Sequence, residues 1–128
     1  MRVSRNKYHN SKLKNDFGSF DSKKEFNVYL LLLNKLKNGE LTDLRRQVRY
    51  ELIPPQYKTG QKQLKTKTKE VRKMLFRPCN YIADFTYVDK SGNTVVVDVK
   101  STATAKDKVY LIKKKLMYCR YGVLITEL

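Results

Sequence analysis

YIADFTYVDKSGNTVVVDVK, residues Tyr81–Lys100, is the stretch on which the fold turns. Two runs rich in β-branched and aromatic residues flank Lys90-Ser91-Gly92, a composition that predicts a hairpin with Gly92 in the left-handed position of a three-residue loop. If the hairpin is symmetric about Ser91, Asp84 lies directly across from Asp98. Directly opposed residues share a face, with Cβ atoms about 4.5–5.5 Å apart. Lys100 lies two residues further on, so the strand period of two carries it to that face as well. The other face, Ala83, Phe85, Tyr87, Val95, Val97 and Val99, is expected to be apolar. Asp is disfavoured in strand interiors, and like charges directly opposed destabilise a sheet. Lys100 can neutralise one carboxylate but not two, whereas a divalent cation is commonly held by one or two carboxylates with waters.

The rest of the chain is unusual chiefly in its charge. With 128 residues it is long enough for one domain with a real core. It carries 28 Lys+Arg against 12 Asp+Glu, a formal +16. Such an excess predicts a polyanionic partner, nucleic acid ahead of a membrane. No apolar run approaches the roughly 20 residues of a membrane span, and Arg2, Arg5 and Lys7 are not followed by the apolar core of a signal peptide. A cytoplasmic location is expected, that of the host cell if the gene is a phage's. Cys79 and Cys119 lack metal-type spacing and have only His9 to help them, so both are read as ordinary thiols.

Residues 1–18 read as a flexible basic arm and 19–128 as one domain. Ser22–Lys37 is predicted helical, with Phe26, Tyr29, Leu32, Leu33 and Leu36 as its apolar stripe and Asn38-Gly39 as its end. Leu44–Ile53 reads as a strand stopped by Pro54-Pro55. The lysine- and threonine-rich Gln56–Lys69 reads as a mobile surface loop, and Val71–Phe76 as a short strand. Thr104 is expected to cap a helix to about Arg120 that buries Ala105, Val109, Ile112, Leu116 and Cys119, followed by a strand in Val123–Leu128. The fold class is α/β, a central mixed sheet flanked by helices.

A third carboxylate belongs with the hairpin pair. Glu25 lies one turn before Tyr29, on or near the packed stripe. Ser22-Lys23-Lys24-Glu25 is also an S-x-x-E capping box, so Glu25 serves either the helix end or the acidic face.

An Asp on one strand, Asp/Glu-x-Lys on the next and a Glu on a preceding helix resembles the PD-(D/E)XK nuclease superfamily. Asp84 matches the first acid, with Ala83 where proline is usual; Asp98-Val99-Lys100 matches the second element and Glu25 the helical acid. FDSKKE (Phe20–Glu25), LRRQVRYELIP (Leu44–Pro54), YIADFTY (Tyr81–Tyr87) and VVDVKSTAT (Val96–Thr104) are further similar to a family of small phage-encoded endonucleases, akin to Holliday-junction resolvases and transposon-end nucleases. The likeness runs from about Ser19 to the C-terminus. It implies a restriction-endonuclease-like core and Mg²⁺- or Mn²⁺-dependent hydrolysis of DNA phosphodiesters. Asp84, Asp98 and the Val99 carbonyl would ligate the metal, with Glu25 direct or through water. Lys100 would orient or deprotonate the attacking water and stabilise charge on the phosphate.

For nucleic-acid contacts the candidates are Gln47, on the strand after the first helix; Lys65, Lys67 and Lys69 in the basic loop; and Lys113, Lys114 and Lys115 in the last helix, of which Lys115 borders the expected buried side. Tyr8, Tyr57 and Tyr118 are candidates for base stacking. Branched or duplex DNA is the expected substrate, and paired incisions at a junction would favour a homodimer, although no residue pattern marks a dimer surface. A non-catalytic basic module that binds nucleic acid is the alternative from another class: it needs the lysines but leaves the carboxylates without a task.

Overall fold

The computed structural model describes residues 13–128. Residues 1–12, which hold most of the basic arm together with Tyr8 and His9, lie outside the described residues. In chain order the elements are β1 (Leu13–Asn15), β2 (Gly18–Phe20), α1 (Lys23–Lys37), β3 (Leu41–Ile53), β4 (Gln56–Gln63), β5 (Thr68–Phe76), β6 (Cys79–Asp89), β7 (Thr94–Asp98), a 3₁₀ turn (Thr104–Lys106), α2 (Lys108–Tyr121) and β8 (Thr126–Glu127).

The body is a four-stranded mixed sheet in the order β3-β6-β7-β8. The first three strands run antiparallel and β8 runs parallel to β7. Two cores flank the sheet. Val97 and Phe85 are buried with Val28 and Leu32 of α1, while their neighbours Val96 and Ala83 are buried with Tyr110 and Met117 of α2. Since Val96 and Val97 are consecutive in a strand, the two helices cover opposite faces. The Tyr29 ring stacks on Phe85 at 5.7 Å and 4°. This is the expected α/β arrangement. No helix among the described residues is long and apolar enough to cross a membrane.

The hairpin forms in the predicted register. Phe85 faces Val97, Tyr87 faces Val95, and Gly92 has φ 84. Asp89 fixes the turn, its Oδ1 accepting the N–H groups of Ser91 and Asn93, both at 2.9 Å. Phe85, Val97, Tyr87, Val95 and Val99 share the α1 side as expected, but Ala83 does not: it packs beneath α2. The alternation therefore breaks next to Asp84, where the β6–β7 ladder stops.

Four further expectations are corrected. The end of the basic arm is not free, because Leu13–Asn15 pairs with Gly18–Phe20. Gln56–Lys69 is not a loop: β4 and β5 form a hairpin whose residues are all exposed. It prolongs the β3–β6 pairing beyond Ile53↔Cys79, and Pro54, Pro55 and Pro78, which cannot donate to a ladder, mark the break. Helix α2 is capped by Asp107, not Thr104, with Asp107 Oδ2 accepting from the Tyr110 N–H. Starting later, it buries Tyr110 and Met117 and half-buries Leu116, while Val109, Ile112 and Cys119 are exposed. In α1 the stripe is centred on Glu25, Val28 and Leu32, and Leu36 lies outside it.

Candidate active site

The site is built where the hairpin forks. The ladder's last pair is Phe85↔Val97, and just beyond it the Asp84 and Asp98 carboxyl groups come within hydrogen-bonding reach of one another. Here a side chain replaces the ladder: the Val99 N–H donates to Asp84 Oδ2 at 2.8 Å. Asp98, the last residue of β7, is only 3% exposed. Tyr81 donates its hydroxyl to Asp98 Oδ2 at 2.7 Å, and Lys100 Nζ stands 3.5 Å from the same oxygen.

Lys100 is held by its backbone. Its N–H donates to the Leu128 carbonyl (3.1 Å), while the Leu128 N–H donates to the Asp98 carbonyl (2.9 Å). Lys24 Nζ donates to the Lys100 carbonyl at 2.7 Å. The Lys100 ammonium lies 4.2 Å from the centre of the Tyr110 ring, a cation–π contact that keeps it over the site.

Glu25 divides its two oxygens between the roles open to it in sequence. Its own N–H donates to Ser22 Oγ, and its Oε2 accepts the Asp21 N–H at 3.0 Å, a capping arrangement displaced by one residue. Its Oε1 accepts from Gln47 Nε2 at 3.0 Å. Arg46 Nη2 is 3.9 Å from Oε1, and its guanidinium lies 3.9 Å from the centre of the Phe20 ring.

Gln47 joins the acids. The same Nε2 that serves Glu25 lies 3.5 Å from Asp84 Oδ1. A donor between two carboxylates fixes which way the amide points. Gln47 holds φ 52 inside a strand, a conformation that costs a non-glycine residue on the order of 1–3 kcal/mol and clusters at functional sites. This geometry favours a role at the site over that of an ordinary polar strand residue.

Concentrated negative charge shows in the protonation behaviour. Burial, followed by the neighbouring Asp98 and Glu25, raises Asp84 to about 7 against the opposing Val99 N–H. Burial also raises Glu25, against the hydrogen bond from the Asp21 N–H. Burial and the bond to Asp98 push the Tyr81 hydroxyl far above its ordinary range, so it remains a donor. Among the described residues no three acidic, imidazole or thiol side chains stand close enough to hold an ion by themselves. The Gln47 amide separates Glu25 from Asp84, leaving Asp84 and Asp98 as the pair. Two carboxylates and the adjacent Val99 carbonyl are hard oxygen donors of the kind Mg²⁺ or Mn²⁺ takes alongside waters.

The acids open into a cleft of about 760 Å³. Its lining carries Lys24, Arg49, Lys100 and Lys113, with Asp21 and Asp107 alongside the three buried or half-buried acids. Of the expected nucleic-acid contacts, Gln47 and Lys113 are at the cleft. Lys114 is paired with Glu127 at 2.7 Å. Lys115 is exposed and does not border the buried side, because α2 is rotated relative to the expected stripe. Lys69 lies in β5, while Lys65 and Lys67 sit in the turn between β4 and β5, closed by the Leu64 N–H to the Lys67 carbonyl.

Sequence reasoning missed Tyr81 and Lys24. Strict alternation sets Tyr81, three residues from Asp84, on the opposite face; only the break at Ala83 returns it to Asp98. Lys24 contributes by pinning a backbone carbonyl 76 positions away, and no local pattern signals that.

The chain belongs to the family described as "Protein of unknown function (DUF1064)", whose pattern matches residues 5–127. No curated protein and no solved structure matches it.

Proposed function

We propose that this member of the family is a metal-dependent DNA endonuclease with a restriction-endonuclease-like core, acting on branched or duplex DNA. One observation carries the reading: Asp84 and Asp98 meet at the fork of a buried hairpin with Lys100 beside them, on a chain of net charge +16. A structural salt bridge needs one acid per lysine. Two acids with a third behind Gln47 cost stability through like-charge repulsion and burial, and a bound cation offsets both.

Asp84, Asp98 and the Val99 carbonyl would hold Mg²⁺ or Mn²⁺, with Glu25 steadying Asp84 through Gln47. When bound, the ion polarises a phosphate and makes a bound water more acidic. Tyr81 fixes one oxygen of Asp98 and so leaves the other to turn toward the cleft. Lys100, tethered through Leu128 and Lys24, presents its ammonium where charge grows on the phosphate and where an attacking water must be oriented. Lys113 and Arg49, which line the cleft, would draw in the phosphate backbone.

The test is cleavage of labelled four-way junction, linear duplex and single strand with Mg²⁺, Mn²⁺ or EDTA, using wild type and Asp98→Ala. Metal-dependent cutting that is lost in the variant while binding persists is the expected result. Tight binding with no cutting in either metal would leave a basic binding module and sink the nuclease.

A further inference from the structure

The β4–β5 ribbon has a property that a mere surface excursion would lack. Its register sets Lys58 opposite Lys73 and Lys62 opposite Lys69, with Gly60 opposite Val71 between them. Directly opposed residues share a face, so four lysines stand together on one side. The other side carries Tyr57, Thr59, Gln61, Glu70 and Arg72, with the Arg72 guanidinium 3.7 Å from the Tyr57 ring centre. Residues 56–76 hold seven basic side chains and one acidic one. Among the described residues no acid pairs with any of the four lysines. Two like-charge pairs work against the ribbon's own stability, each by about 0.2–1 kcal/mol. No buried apolar surface compensates, since every residue of both strands is exposed.

We infer that this ribbon is a docking arm for double-stranded DNA, its lysine face lying along the major groove and reaching the phosphates on either side. Charge complementarity calls for a polyanion, and shape selects which one. A two-stranded antiparallel ribbon fits the roughly 12 Å major groove of B-form DNA. It does not fit the deep, narrow groove of A-form RNA. Lys58 and Lys62 are four residues apart, about 13 Å along a strand, so the two pairs span several phosphates. The ribbon grows out of β3 and β6, and Asn80 and Ile82 step along β6 from its root to Asp84. A duplex held by the ribbon is thereby led along the cleft wall to the acids. Lysine contacts of this kind hold backbone and carry little sequence information. The identity of the partner rests on the nuclease reading.

The experiment measures binding in EDTA, where no cutting occurs, by fluorescence anisotropy of the full chain on linear duplex DNA and duplex RNA between about 50 and 200 mM salt. Lys58→Ala, Lys62→Ala, Lys69→Ala and Lys73→Ala are combined in one variant. Its arginine counterpart is the rescue, and Lys35→Ala with Lys37→Ala and Lys90→Ala is the control at exposed sites outside the ribbon. The alanine variant should lower the slope of log K against log salt by about 0.9 per lysine and weaken DNA binding by at least ~30-fold. The arginine variant and the control should stay near wild type, and RNA should bind more weakly with little response to the four lysines. A slope in the alanine variant equal to the control's overturns the inference, as does equal, lysine-dependent binding of duplex RNA. Failure of the nuclease reading is separate: wild type would bind DNA through these lysines yet cut nothing with Mg²⁺ or Mn²⁺.

Discussion

Strands β3 and β6 and strands β4 and β5 are two stretches of what is nearly one long hairpin; each has its own antiparallel ladder, and beyond that they share almost nothing. In the first stretch Ala83 and Phe85 are fully buried between two helices. In the second every side chain meets water. The ladder therefore does not report a core. In the body, apolar burial fixes which strands pair; in the ribbon, register is kept by backbone hydrogen bonds, a tight turn and one arginine–tyrosine contact, while the lysines oppose it.

That contrast can be pressed in several ways. The largest effect should come from chemistry confined to the body: Asp98→Ala should lower metal-dependent cleavage by ~10³-fold or more, the scale of losing a charge-organising group in an active site. Removing the four ribbon lysines should leave cutting measurable at low salt and high enzyme concentration, read as a raised KM with kcat kept. Next is packing. Phe85→Ala should cost about 3–5 kcal/mol in urea unfolding, whereas Val71→Ala on the ribbon should stay within about 0.5 kcal/mol. Equal losses at the two positions would mean that the ribbon has a core of its own.

Protonation offers the third comparison. Asp84 is raised from 3.8 to about 7 by burial and its acidic neighbours, so between those values the folded chain binds more protons than the unfolded one. Stability should then fall as pH climbs through that window. Without metal, the melting temperature should be higher at pH 5 than at pH 8. Asp84→Asn should flatten this trend, and added Mg²⁺ or Mn²⁺ should recover stability at pH 8 in wild type only. A variant that keeps the full wild-type trend would place the titration elsewhere. The smallest effect contrasts two glycines. Gly92, at φ 84 in the β6–β7 turn, should lose about 1–2 kcal/mol on change to Ala. Gly60 on the ribbon, with open space around it and no positive φ, should gain up to about 1 kcal/mol from the same change.

The difference between these regions also explains what could be read in the residues alone. The Asp84–Asp98 register was legible because Ser91-Gly92 and the flanking Val and Tyr residues agree on one hairpin. Glu25 was legible as a dual-purpose acid because a capping motif fell beside an apolar stripe. The ribbon was not, since apolar alternation reports burial and the ribbon buries nothing; Lys and Thr in β4 look the same as in a loop. The face of α2 was missed for a related reason. Val109 and Ile112 are apolar yet exposed, while Tyr110 spans core and site, its hydroxyl donating to Glu127. Tyr81 stayed hidden because a broken alternation leaves no trace in composition.

The clamp made by Leu128 has a consequence in time. Asp98 and Lys100 take their backbone partners from the residue at position 128, while Glu25 and Lys24 are made about a hundred positions earlier. Chains emerge from the ribosome at about 5–20 residues per second and fold from the N-terminal side. A nascent chain thus displays its basic ribbon for seconds before the Asp98–Lys100 segment is tied down. On the function proposed above, the ribbon could engage a polyanion before the cleft is assembled, and a variant lacking residues 126–128 should keep the ribbon while losing the backbone clamp on Asp98 and Lys100.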